Sequence, residues 1–141
     1  MKKDDAKKNA KKVKKEEAVP EERMLTLRRL LEALVAMNVS FLKRHEESAG
    51  SSYPSLYNVA PKYGGPADFG VWQDIPHTAR RGIGDACDLV CWRVAELRAQ
   101  GYEDAEPVVK VTYMKGGGVL TTVQVRVGDT LEDPTAILGG A

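Results

Sequence analysis

Cys87 and Cys91 are the most chemically capable side chains of this chain, four residues apart in the run Gly84-Asp85-Ala86-Cys87-Asp88-Leu89-Val90-Cys91-Trp92-Arg93. A thiol attacks only as the thiolate, and the start of a helix favours that form through its unpaired backbone N–H groups and its dipole. Gly84 and Asp85 read as such a start, a glycine-flanked turn followed by an N-cap side chain. The first helical position, however, holds Ala86. The nearest thiol, Cys87, lies one residue further on, displaced about 100° around the helix. A general base near neutral pH must come from His45 or His77, the only two histidines, and both lie on other segments. The cysteines share a helix face at i and i+4, but a metal site needs further ligands and only two histidines exist to supply them. No metal and no cofactor are expected. The bland reading of both thiols, small hydrophobes buried in a core, is the stronger one.

Charge is distributed unevenly. The 141 residues carry a formal +1, yet residues 1–15 hold Lys2, Lys3, Lys7, Lys8, Lys11, Lys12, Lys14 and Lys15 against Asp4 and Asp5, a net +6. Residues 16–141 are therefore net −5. Like-charge blocks repel themselves, so residues 1–20 are expected to be a disordered or extended arm. These lysines are the candidate binding residues for nucleic acid or an acidic protein surface. No aromatic interrupts them, so base stacking gets no support. No apolar run reaches the roughly 20 residues of a membrane span, and the N-terminus lacks the apolar core of a signal peptide. A reducing setting is expected from two cysteines that make no disulfide framework.

The elements that must position these residues are legible from periodicity. Leu27, Leu30, Leu31, Leu34, Val35, Phe41 and Leu42 recur at spacings of three and four, which predicts an amphipathic helix from about residue 21 to 44, with Pro20 near its start. Residues 46–73 are rich in glycine, proline and serine and read as a long irregular loop pinned by Tyr53, Tyr57 and Tyr63. Ile75-Pro76 leads into a short helix or turn ending near Gly82, and a second helix runs from Asp85 to about Gln100, closed by Gly101. The period then switches to two. Pro107–Met114 and Val119–Val127 read as strands of a hairpin turned at Gly116-Gly117-Gly118, followed by a short extended piece at Leu131. Val123, Val125 and Val127 fall on one face of the second strand, and Leu120, Thr122, Gln124 and Arg126 on the other. The fold class is α+β, with a domain over residues 21–141: an N-terminal helix and a central helix packed on a small antiparallel sheet.

That order suits a papain-like or transglutaminase-like core, in which a cysteine opens a helix and a histidine and an acid or amide follow on strands. Ordered blocks carry a closer match: Trp72-Gln73-Asp74-Ile75-Pro76, Arg81-Gly82-Ile83-Gly84-Asp85, Asp88-Leu89-Val90-Cys91-Trp92-Arg93-Val94-Ala95-Glu96-Leu97-Arg98, and Glu132-Asp133-Pro134-Thr135 with Leu138-Gly139. Over roughly residues 24 to 139 the sequence resembles a family of small transglutaminase-like cysteine-peptidase proteins of tailed bacteriophages and prophages. The resemblance implies that the family's nucleophile falls on Ala86, with Cys87 in the place of an acidic residue. The family's histidine falls on Thr122, or on Thr121 if the register slips by one, and its third member on Asp133.

Two of three catalytic positions are thus without catalytic atoms. Alanine cannot form an acyl-enzyme, and threonine cannot act as a general base near neutral pH. The expectation is a catalytically inactive peptidase-like protein serving as a structural component of a bacteriophage head, neck or tail. Its partners would be other phage structural proteins, and it would lie in the virion and, during assembly, in the host cytoplasm. Two alternatives stay open. One is a cysteine peptidase or amidase, active through Cys87 as fallback nucleophile or inactivated by substitution at Ala86. The other is an accessory protein contacting DNA through the basic arm.

Overall fold

The computed structural model describes residues 21–67 and 71–140. The lysines at 2–15 therefore lie outside the described residues. Helix α1 (Glu21–Ala49) presents Leu31, Leu34, Val35, Asn38 and Leu42 to the interior on one stripe. It outlasts the expected end at residue 44, because Glu46, Glu47 and Ala49 are good helix formers. Gly50 stops it at φ 73°, a left-handed conformation that glycine adopts without steric penalty, with its N–H donating to the Glu46 carbonyl.

The stretch expected to be an irregular loop is better ordered than that. It holds a one-turn helix α2 (Leu56–Val59), capped by the Ser55 hydroxyl, and a short strand β1 (Lys62–Tyr63). β1 pairs in parallel with β2 (Ile83–Gly84), Lys62 opposite Ile83 and Tyr63 opposite Gly84. Between them, α3 (Ile75–Arg81) starts at the N-cap Asp74 and ends at Gly82. Helix α4 (Ala86–Ala99) follows, with Asp85 as N-cap and Gly101 just past its end, as its sequence predicts.

The C-terminal third is an antiparallel sheet in the order β3 (Glu106–Tyr113), β4 (Val119–Val127) and β5 (Thr130–Glu132). The hairpin register places Val109 opposite Val123 and Lys110 opposite Thr122. A last turn, Ala136–Gly140, returns Leu138 to the core while Ile137 stays exposed. α1 and α4 lie against one another, and α4 packs on the valine face of β4, where Val123 and Val125 are buried. Trp92 of α4 is fully buried at the centre. The architecture is α+β, an N-terminal helix and a central helix on a small antiparallel sheet. Among the described residues no helix is long and apolar enough to cross a membrane.

Gly84 marks the tightest joint, where β2 becomes the N-terminus of α4. A Cβ placed there would lie 3.0 Å from the Thr78 methyl, 3.1 Å from Asp88 Cβ and 3.2 Å from a Leu89 methyl. Gly84→Ala should overpack this joint and lower stability by about 1–3 kcal/mol, read as a shift in the urea midpoint. A change under about 0.5 kcal/mol would show that the joint yields freely.

Candidate functional site

The N-terminus of α4 is closed by reciprocal carboxylates. Asp85 Oδ1 accepts from the Asp88 N–H at 3.0 Å, and Asp88 Oδ2 accepts from the Asp85 N–H at 3.0 Å, a capping box built from two aspartates. Asp88 is itself buried and takes two further hydrogen bonds, from the Gln73 N–H at 2.9 Å and from Gln73 Nε2 at 3.0 Å. Gln73 Nε2 also donates to the Ile83 carbonyl at 3.1 Å, and Gln73 Oε1 accepts from Arg81 Nη1. One glutamine side chain therefore ties α3, β2 and α4 together.

This network floors a pocket of about 310 Å³. Asp85, Asp88, Gln73 and Arg81 supply its polar wall, and Val71 and Ile83, both exposed, supply its apolar rim. Tyr63 stands close by. Burial pushes its hydroxyl pKa up, and the negative charges of Asp133 and Asp85 push it further the same way. The C-terminal turn packs against β1, the strand that carries Tyr63.

Ala86 is the first residue of α4, only 4% exposed, beside this pocket and without a reactive atom. Cys87 turns into the core and is fully buried. Cys91 is equally buried, its Sγ 3.7 Å from the Leu31 carbonyl. Burial raises its pKa well above the usual thiol value, and the nearby Cys87 and Asp88 add to the rise. Asp133 does not line the pocket, and its Oδ1 is occupied as a cap. It accepts from Thr135 Oγ1 at 2.6 Å, the Thr135 N–H at 3.1 Å and the Ala136 N–H at 3.4 Å.

Thr122 is not brought to the pocket. Its hydroxyl donates to the Lys110 carbonyl at 3.3 Å, and strand alternation sets it on the face opposite Val123 and Val125. Thr121 shares the valine parity, so the one-residue slip is the register that turns a side chain towards α4. Neither histidine lines the pocket. His45 stacks edge-on to Tyr53 with ring centroids 5.0 Å apart, and His77 Nδ1 faces the Asp74 carboxylate.

Chemically, the described residues of the pocket offer carboxylates already engaged as helix caps, one amide and one guanidinium. A cysteine placed at position 86 would face Asp85 and Asp88 as well as the helix dipole, and like charge opposes a thiolate. Gln73, Arg81 and Tyr63 were not marked as site residues by the sequence. The spacing Asp85-x-x-Asp88 is a capping-box pattern that could have drawn attention to Asp88. Comparison with known proteins finds no matching family model, no matching curated protein and no matching solved structure.

Proposed function

We propose that this chain is a non-catalytic, transglutaminase-like or papain-like protein that serves as a structural component of a bacteriophage particle. What supports the non-catalytic part is one observation: the helix that would carry a nucleophile begins with Ala86, while both thiols are sealed in the core. A nucleophile needs an accessible thiolate and a base in hydrogen-bond reach. Cys87 and Cys91 lack the first, and the pocket lacks a histidine. The particle role rests on the resemblance of the ordered blocks from Trp72 to Gly139. Fold alone does not decide function, so the particle role stands on that resemblance.

Two measurements test the reading. In native buffer a thiol-reactive disulfide reagent should leave both cysteines unmodified on a timescale that modifies two thiols per chain in urea. Fast native modification of Cys87, lost in Cys87→Ser, would restore the peptidase alternative. Quantitative mass spectrometry of purified particles should find the chain in fixed stoichiometry with the other structural proteins. Its absence from the particles would refute the structural role.

A further inference from the structure

The three-stranded sheet ends on an unpaired strand. β3 has β4 on one side and no strand on the other, and its eight residues make it the longest such edge among the described residues. The register fixes which of its backbone groups point outward. The Met114 N–H donates to the Gly118 carbonyl at 2.7 Å, and bonded and unbonded pairs alternate along an antiparallel ladder. Thr112, Lys110 and Val108 therefore bond to β4, whereas Tyr113, Val111, Val109 and Pro107 turn their backbone groups away from it. Pro107 fits that parity, because its missing N–H falls on the open side, where the ladder loses nothing. The outward N–H and C=O groups of Val109, Val111 and Tyr113 form no hydrogen bond among the described residues. None of residues 108–114 is buried, and Tyr113 and Met114 are exposed apolar side chains. Sheet edges are ordinarily protected by shortness, a bulge or a proline. β5 is short, at three residues. β3 pairs with β4 without a bulge from Glu106 to Tyr113, and its proline guards only the start.

We propose that β3 pairs antiparallel with β3 of a second copy of this chain, about a two-fold axis at Val111, joining two three-stranded sheets into one. This goes beyond the particle role and does not depend on it. The edge is self-complementary in that register. Val111 faces Val111 of the second copy and Val109 faces Tyr113, so every outward N–H from Val109 to Tyr113 meets an outward carbonyl. Lys110 falls opposite Thr112, no charge faces its like, and Val108 meets Met114 on the same face. Neighbouring registers do worse. An axis at Lys110 sets that lysine against itself and leaves Tyr113 facing Pro107, which has no N–H to donate. An axis at Thr112 carries Val109 past the end of the strand, opposite Lys115. A match of bonding parity and charge between a strand and its own copy favours a second copy over an extended segment of another protein. One strand from each side is a small interface, so the dimer dissociates on the order of 10 µM.

The test is sedimentation velocity on the full chain from about 1 to 200 µM, a range that brackets the expected dissociation constant. A monomer–dimer equilibrium is expected within it. Val111→Pro removes one outward N–H from each copy but spares the β3–β4 ladder, as Pro107 does, and should weaken the dimer at least about tenfold. Thr112 is exposed on the solvent face, so its variants leave the fold intact by circular dichroism and read the register by sign. Thr112→Glu sets a glutamate opposite Lys110 twice per dimer and should tighten it about threefold to tenfold. Thr112→Lys sets lysine against lysine and should weaken it by about the same factor. Met37→Lys, on the exposed face of α1, should change it less than about twofold. A chain that stays monomeric across the whole range overturns the proposal. So does a dimer that Met37→Lys dissolves, which would place the contact on α1, or one whose two Thr112 variants shift in the same direction. Should Val111→Pro fail to fold, the opposed Thr112 shifts still decide.

Discussion

Asp88→Ala is expected to lower the free energy of unfolding by about 3–4 kcal/mol, as much as truncating a buried apolar side chain. The carboxylate is 3% exposed and accepts from three donors, the Gln73 N–H, Gln73 Nε2 and the Asp85 N–H, at 2.9–3.0 Å. Hydrogen bonds to a charged acceptor contribute about 1.5–3 kcal/mol each, and donors left buried without a partner cost about 1–3 kcal/mol. The two effects overlap, and relaxation admits water at the pocket side, so the total stays well below their sum. Asp88→Asn discriminates charge from shape. It keeps the volume but turns one acceptor into a donor that faces donors, so it should lose about 2 kcal/mol or more. Asp85→Ala removes the reciprocal cap and should cost about 1 kcal/mol or more. Urea unfolding followed by the fluorescence of buried Trp92 reads all three. If Asp88→Ala costs no more than Asp85→Ala, the Gln73 bonds are dispensable and Asp88 is only a cap.

How far the sequence foretold this site follows from where each residue's partners lie along the chain. The α4 boundaries were legible because Asp85 and Gly101 act on their immediate neighbours, and local caps leave local patterns. The hairpin was legible for the same reason, a strict period of two broken by three glycines. Residues 46–73 were not, because what orders them is remote: Ser55 and Leu56 are held by Glu96, some 40 residues away. A composition rich in glycine and proline argues against a long helix, but it cannot reveal a distant carboxylate that fixes a turn. The parallel pairing of β1 with β2 escaped notice because two residues per strand leave no periodicity to detect. At the site, the alternation that places Val123 and Val125 inward already carries Thr122 outward, so the strand pattern and the resemblance pulled apart at that position. The structure follows the pattern. Asp133 is singled out only by resemblance, and its local bonding to Thr135 and Ala136 is the behaviour of any aspartate that starts a turn.

Arg93→Met is the second large effect, expected to cost about 3 kcal/mol at neutral pH. The guanidinium joins two carboxylates that would otherwise repel. Nη1 donates to Glu96 at 2.7 Å, and Nε and Nη2 donate to Glu132 at 2.7 and 3.3 Å. It also lies 5.0 Å from the ring centre of Tyr57, whose hydroxyl donates to Glu132 at 2.6 Å. The side chains of Arg93 and Glu96 are 17% and 8% exposed, so removing the cation strands a carboxylate in a poorly hydrated place. Breaking such a pair by deleting one partner is costly, in the range of about 3–5 kcal/mol, even where the intact pair contributes little net stability. Burial pushes the Glu132 carboxyl pKa up, but the hydrogen bonds from Arg93 and Tyr57 outweigh it and hold the carboxyl below its usual 4.5. Its contribution to stability is therefore complete above pH 4.5 and is lost as pH falls through the folded-state value. In Arg93→Met the same fall in pH does the reverse: protonation relieves a carboxylate that has lost its cation. The stability gap between wild type and variant should accordingly narrow as pH is lowered from 7 to about 3.5. Urea midpoints at the two pH values measure the gap. A gap that stays constant would mean that Arg93 stabilises the fold by packing its chain on Tyr57, and that the charges of Glu96 and Glu132 are carried by solvent.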